Sequence, residues 1–556
     1  MLFCQFSVQV GGLRGLWDTL ATKSCFFVRA VGTGCYQALL RGRKTNAVSM
    51  KIAHITDVEG NLAYFQHGVS LSPILTFDST SNLQFTETNT CFVFGGDLID
   101  KGVNDNELCR ILVTFKRRHP HRVHLILGNR DLNKLRYAAE LSDSDMQRDL
   151  HSIPKPHWDL SCPSILEYLT KLADQQSTTL DQVNTKTNRL RYMQVHTLGC
   201  QHTFDNRRIE MTNANPTHTT PTDAQVTENF LASVTDYNSC FFQFLSLGCI
   251  AVRLGDTLFV HGAVDAQTFG FLPDRDTKFE MPTAKSKGNH MESVNEWIVE
   301  MNAFLKAGLE DFKARPDWNH DRTSRGGEAL MALQNRDAMW GRSVISNNFA
   351  NGGCITTTKA THQRTIQYRK AAEENNPHAF AGTSSDPMDA KMVKWLLQSG
   401  VRRQVVGHKP SADAPACLAG SVTGVEVVSS DTSFSDTSAT DNRGCAASSV
   451  LIVVNEETKT SYLIIQGMLC DGKEHYARFP MLGDGGGGGG SSGSSKSDTV
   501  LDEGNPHVGK TMEGDEEWWV QTMVGNQYRL VRGNGRQWEV KLLDHVRSSV
   551  VSSPPK

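Results

Sequence analysis

The chain has 556 residues, of which 21% are charged, a formal net charge of -3 and 13 cysteines. That length exceeds one ordinary core and implies a large domain with appendages, and the near-balanced charge gives no reason to propose a nucleic-acid or bilayer partner. The cysteines are odd in number and lack C-x-x-C spacing, so they read as small buried hydrophobes of a reducing compartment, which points to a cytoplasmic protein without a disulfide framework.

Residues 1–49 differ from the rest. Arg14, Lys23, Arg29, Arg41, Arg43 and Lys44 stand there against a single acid, Asp18. Poverty in acids fits an organelle presequence, mitochondrial or other; the plainer reading is an untranslated or dispensable extension, because Met50 directly precedes the first core strand. From Lys51 onward, short apolar runs of strand length end in polar or glycine-rich turns: Lys51–Thr56, Cys91–Phe94, Val123–Leu127, Thr257–Val260 and Arg403–Val406. Helical patterns lie between them at Glu107–Arg118, Ser164–Ala173, Met291–Phe312 and Asp389–Ser399. The alternation indicates an α/β sheet, whose sites gather beyond the carboxyl ends of the strands. His54 and His124 fall inside strands and read as structural. The run from Phe241 to Leu254 is broken by Gln243, Ser246 and Arg253, so it reads as core and not as a membrane span.

Thr212–Thr227, rich in Thr, Asn and Pro, predicts a loop, part of an insertion over about 203–228. Val425–Val428, Val450–Asn455 and Ser461–Gln466 look like a closing antiparallel set. The catalytic unit is therefore expected to span 50–483. Six consecutive glycines and the serines after them make 484–504 a flexible linker. Trp518–Val520, Tyr528–Val531 and Trp538–Leu543 then suggest a small β module at 505–556, expected to be separable from the chemistry, which either binds a partner or packs on the catalytic domain.

Five strand ends carry five short polar motifs: Asp57-Val-Glu59-Gly-Asn61, Gly95-Gly-Asp97-Leu-Ile-Asp100-Lys101-Gly102, Gly128-Asn129-Arg130-Asp131, His261-Gly262-Ala263 and Gly407-His408-Lys409-Pro410. Each is weak alone, since an Asn after Gly is usually a turn residue and a buried His usually a satisfied core residue. Five in this order are hard to obtain by chance. The order resembles the calcineurin-like metallophosphoesterase superfamily, with its pattern D-x-H, G-D-x-x-D-R-G, G-N-H-E/D, H-G and G-H, over roughly Lys51 to Gln466.

The resemblance implies a β-sandwich flanked by helices (α/β/β/α) and two divalent cations that activate a water and hold phosphate oxygens. Asp97 would bridge the cations, Asp57 and Glu59 would complete one site, and Asn129, His261 and His408 the other. That donor set suits manganese, with iron, zinc or magnesium as alternatives. Two departures stand out. Glu59 occupies the usual first-motif His, where it either ligates with an added negative charge or caps the following helix. Arg130 occupies the usual leaving-group acid; it stays protonated past neutral pH, so it can stabilise an oxyanion but cannot act as that acid. Asp100 would pair with Arg130, and Lys101 keeps the charge of the family Arg without its fork. Arg342, in Met339-Trp340-Gly341-Arg342, resembles the phosphate clamp of some phosphoprotein phosphatases, though an ordinary surface Arg explains it as well. The expected activity is hydrolysis of a phosphomonoester, with a Ser/Thr phosphoprotein as substrate. A nucleotide or dinucleoside polyphosphate is the alternative substrate, and a catalytically weak binding scaffold the alternative of another class.

Overall fold

The computed structural model describes residues 49–156, 161–264, 268–276, 278, 288–333, 390–408, 411, 413–419, 424–432, 446–458, 460–479, 511–512, 515–534 and 537–544. Period-2 alternation builds its centre. In strand β1 (Ser49–Ile55), Ile52 faces one apolar cluster while Ala53 and Ile55 face another.

A hairpin of β2 (Leu75–Phe77) and β3 (Leu83–Phe85) follows, then β4 (Thr90–Phe94) and β5 (Val123–Leu125). β1 pairs parallel with β4, and β4 parallel with β5. The second sheet takes β6 (Ala251–Leu254) and β7 (Thr257–Val260); a small pair, β8 (Phe271–Pro273) and β9 (Gly288–His290), precedes its remaining members. These are β10 (Arg403–Val406), β11 (Ala416–Ala419) and β12 (Glu426–Ser429), in the order β11-β12-β10-β7-β6. β13 (Ala447–Asn455), β14 (Ser461–Met468) and β15 (Glu474–Phe479) return antiparallel beside β1 in the first sheet.

The two sheets face each other. Ile52, Val93, Ile126, Val450 and Ile452 from the first interleave with Phe259, Val405, Cys417 and Val428 from the second. Their other faces carry helices: Phe92, Phe94, Leu258 and Val406 lie in the cluster that includes Leu108, Leu112, Trp297, Leu305 and Leu396. This is the expected α/β/β/α sandwich.

Two expectations about the ends of elements change. Much of the Thr-rich stretch is helical, with Thr203–Ala214 and Asp223–Thr235 leaving only 215–222 between them. Thr222 accepts from Gln225 N–H and the Gln225 side chain reaches back, a capping box whose Thr had the look of loop chemistry. The first of these helices also braces a polar strand end: Thr203 Oγ1 donates to the Asp100 carbonyl, and Asn206 Nδ2 to that of Lys101 at 2.7 Å.

The second change concerns the C-terminal strands. β16 (Thr511–Met512), β17 (Asp515–Val524), β18 (Gln527–Asn534) and β19 (Gln537–Asp544) do not stand apart as a module. β17 pairs with β15 through Tyr476 and Met523, so the first sheet runs on through β17 and β18 to β19. Trp518, Val520, Tyr528 and Leu530 are buried in the cluster between the sheets. The reason is that β15 would otherwise offer a bare edge, and alternating apolar residues downstream cover it. Residues 1–48 and the Gly/Ser linker lie outside the described residues. No described helix is long and apolar enough to cross a membrane.

Candidate metal centre

β1, β4, β5, β7 and β10 end on one rim, and their loops interlock through the backbone. Asp57 N–H donates to Gly96 O (2.9 Å), Glu59 N–H to Asp97 O (3.1 Å) and Lys101 N–H to Glu59 O (2.7 Å). The turns are so tight that non-glycine residues take positive φ there: Asp57 (51°), Glu59 (45°), Asp97 (54°), Asp100 (126°) and His408 (71°). Such conformations cost about 1–3 kcal/mol each and persist where the surroundings impose them, most often at functional sites. Glycine allows the close approach. A Cβ on Gly96 (φ 100°) would lie 2.7 Å from Gly128 N and from His261 Nδ1, and one on Gly407 would lie 2.1 Å from Asp57 Oδ2.

Asp97, His261 and His408 are the described His, Cys, Asp and Glu residues that offer ligand atoms within 4.8 Å of one another. Asn129 joins them, its Oδ1 standing 2.8 Å from His408 Nδ1 and 3.2 Å from His261 Nε2. The Gly95 carbonyl lies 2.9 Å from His261 Nδ1, so a proton held there turns Nε2, a ligand-competent nitrogen, toward Asn129 and Asp97. Asp131 fixes the spacing of two loops by accepting from the backbone N–H of Asp97 (3.0 Å), Leu98 (2.9 Å) and Gly128 (2.8 Å). Asp57 lies alongside and accepts from His408 N–H at 3.0 Å.

The charge balance is that of a cation seat. Burial pushes the Asp57 carboxyl well above the usual range, with Asp431 and Asp97 adding repulsion. Burial alone would raise Asp97 too, but His261 and Arg130 hold it below the usual range. His261 is pushed up to about 10: burial opposes the charged ring, and Asp97, Asp57 and the Gly95 carbonyl overcome it. Buried carboxylates so arranged call for positive charge, and oxygen and imidazole donors fit a divalent ion.

Glu59 is placed differently from the expectation. Its Oε1 lies 2.7 Å from Arg130 Nε and its Oε2 2.8 Å from Lys101 Nζ, so both oxygens of its carboxylate are paired with cations. In a buried setting two fixed cations hold a carboxylate strongly. It does not cap the next helix either, whose N-cap is Asn61.

Arg130 reaches Asp100 Oδ2 at 3.3 Å, as the sequence suggested, and Asp97 Oδ2 at 3.5 Å. Lys134 Nζ is closer to the same Asp100 oxygen, at 2.7 Å, and is fully buried with it. Cys200 completes the cluster: its thiol donates to Asp100 Oδ2 (3.0 Å) while Sγ accepts from Arg130 Nη1 (2.8 Å). Burial and Asp100 push that thiol up to about 12, so it stays neutral. Arg342 lies outside the described residues. His54 is buried and bonded to Ser430 (2.9 Å), a structural role for a strand residue.

Asp431, Lys134 and Cys200 escaped the sequence reading. Asp431 obeys the same strand-end rule as the others, two residues beyond β12, and that signal could have found it. Lys134 follows Asn129 by about one helical turn. Cys200 has no local signature.

Residues 50–233 match the calcineurin-like phosphoesterase family. No curated protein matches the sequence. Three similar solved structures are distant. A cold-active protein-tyrosine phosphatase of a psychrophilic Shewanella species is 14% identical with a TM-score of 0.33, covering 78% of this chain and 80% of that one. A Saccharomyces cerevisiae protein serine/threonine phosphatase with similarity to human phosphatase PP5 is 11% identical with a TM-score of 0.26, covering 73% of each. A metallophosphoesterase from Sphaerobacter thermophilus is 11% identical with a TM-score of 0.21, covering 74% and 86%. What those proteins act on is a property of theirs alone.

Proposed function

On the premise that this chain is a calcineurin-like metallophosphoesterase, whose family its residues 50–233 match, we propose that it hydrolyses a phosphomonoester, with phosphorylated Ser or Thr of a protein as the substrate class. The observation that carries the site assignment is the convergence of Asp97, Asn129, His261 and His408 at one rim. In our reading these four hold one divalent cation. Asp97 and Asp57 would hold a second, with the charge of Asp431 beside Asp57 favouring a cation there and manganese the preferred ion for this oxygen-rich set. Bound there, the pair supplies Lewis acidity, an activated water and charge for the phosphoryl oxygens.

The chain's own residues do the rest. The Gly95 carbonyl orients His261, and Asp131 holds two ligand loops at fixed spacing. Arg130, anchored by Glu59 and Asp100, directs a permanent positive charge at the leaving oxygen, which it stabilises by charge and hydrogen bonding. Lys101 stands at the same rim through Glu59. Arg342 is proposed as a phosphate clamp from the sequence alone.

One observation favours a second substrate class. Arg130 stands where a proton donor would serve an alkoxide, and a phosphate or nucleotide leaving group needs less protonation than a serine alkoxide. A nucleotide or dinucleoside polyphosphate is therefore the other reading. The test is phosphate release from phosphopeptides, nucleotides and aryl phosphates with Mn²⁺ supplied and then chelated. Metal-dependent release is expected, and release that persists unchanged after chelation would refute the assignment.

A further inference from the structure

β10 delivers His408, but nothing in β10 itself fixes the chain beyond it. That segment is held from two sides. On the inner side, Ser411 N–H donates to the Asp431 carbonyl (2.8 Å), and its Oγ lies 3.0 Å from Ser429 O and 3.1 Å from Asp431 O. Ser411 thereby ties the His408 loop to the end of β12, where Asp431 stands. On the outer side the partners come from the C-terminal strands, more than a hundred residues on. Gln521 of β17 donates from Nε2 to Ser411 O (3.0 Å) and to Ala414 O (2.9 Å). Arg529 of β18 donates from Nη2 to Asp413 Oδ1 at 2.8 Å and from Nη1 to Gln521 Oε1. Asp413 Oδ2 also accepts from Cys470 N–H at 3.3 Å.

All four side chains of this clamp are buried: Ser411 at 1%, Asp413 at 4%, Gln521 at 1% and Arg529 at 6% exposure. A buried Arg–Asp pair is a costly way to gain stability, since apolar residues of similar volume would do as well. What such a pair does supply is direction, because a forked guanidinium and a carboxylate meet in few geometries. The Gln521 carboxamide makes the same point, since it satisfies two backbone carbonyls that have no other reason to point at β17.

We propose that Gln521 and Arg529 are positioning residues for the metal centre: the C-terminal strands clamp Ser411, Asp413 and Ala414, downstream of His408, and so set the place of His408 and Asp431. The inference rests on the metal-centre reading above. It makes the tail part of the catalytic unit, where the Gly/Ser linker had suggested an independent module. Residues that orient metal ligands at one remove typically affect metal affinity by about 10- to 100-fold.

The test uses the full chain and Co²⁺ as the probe, with affinity measured by equilibrium dialysis and site geometry by the visible spectrum of the bound ion. Gln521→Met removes both donors at similar volume, and Arg529→Lys keeps the charge without the fork. Gln521→Met is expected to weaken Co²⁺ binding about tenfold or more, to alter its spectrum, and to lower kcat on an aryl phosphate while KM stays nearly constant. Arg529→Lys should fall between it and the unmodified chain, and Arg529→Met below both. Variants that melt earlier yet bind Co²⁺ with unchanged affinity and spectrum would show a mere structural brace and overturn the positioning role alone. An unmodified chain that binds no Co²⁺ would overturn the metal-centre reading and this role together.

Discussion

Glu59 Oε1 lies 2.7 Å from Arg130 Nε, so the two residues that stand where the pattern has histidines are each other's partners. Where the pattern has two histidines, this chain has an anion and a cation in contact. The Arg130 side chain is 17% exposed and sits among carboxylates; burial alone would disfavour its charge, but Cys200, Glu59, Asp100 and Asp97 together hold its proton more firmly. The two substitutions are thus one exchange. A double-mutant cycle of Glu59→Gln, Arg130→Gln and the pair, read as kcat/KM, should be strongly non-additive, with a coupling of about 1–3 kcal/mol. Additive losses would mean that Glu59 acts on the metal independently of Arg130.

Asp97 links the ligand group to the Arg130 loop. It accepts from Arg130 N–H (2.9 Å), meets His261 at 3.4 Å and belongs to the three-residue ligand group. Asp97→Asn should lose metal and slow turnover by at least about a hundredfold, as other losses of transition-state charge stabilisation do. Metal content and turnover measured on the same preparation decide it. Near-normal turnover with full metal content would dissolve the assignment.

The strand ends were legible because each β-strand here is short, apolar and stopped by a polar turn, and parallel strands bring such turns to one rim. Asp57, Asp97, Asn129, His261 and His408 all follow from that rule. The orientation of Glu59 does not, because it depends on Lys101 and Arg130 arriving from two other loops. The place of the tail was not legible for a related reason. A Gly/Ser run reports only on itself, whereas the bare edge of β15 and the burial of Trp518 and Tyr528 are long-range facts. Burying each such side chain contributes roughly 1.5–3 kcal/mol. A chain ending at Gly483 is therefore expected to aggregate or to melt well below the full chain, checked by expression yield and thermal unfolding. Equal melting temperatures would return the tail to the status of an appendage.

Acid stability should report on the helix behind the Asn129 loop. Glu140 accepts from Arg136 (2.8 Å) and Arg325 (2.9 Å). Burial alone would raise its carboxyl, but those two cations hold it at about 2, below its ordinary 4.5. A depressed acid contributes stability above its unfolded value and loses it as pH falls through the folded one. The stability difference between the unmodified chain and Glu140→Gln should thus be full above about pH 4.5 and shrink toward pH 2, amounting to a few kcal/mol at most. Denaturant titrations of both proteins at several pH values measure it, and a difference that does not change over that window would rule the ion pairs out as its source.

Arg130 gives the sharpest test of mechanism. Its guanidinium cannot release a proton near neutral pH, and among the described residues that contact it Cys200 is a thiol pushed up to about 12. If charge replaces proton donation, the rate should depend steeply on leaving-group pKa, with aryl phosphates and nucleoside polyphosphates outpacing phosphoserine peptides. Arg130→His should narrow that gap, because an imidazole can donate near neutral pH. Arg130→Ala should slow every substrate, since the leaving oxygen loses its counter-charge. Lys134, already 2.7 Å from Asp100, keeps that carboxylate paired, so the loss should appear in turnover more than in stability. The measurement is turnover of all three proteins across a leaving-group series at fixed Mn²⁺. With chemistry rate-limiting, a flat dependence in the unmodified chain means that another group supplies the proton, which returns phosphoserine and phosphothreonine proteins to the front of the substrate list.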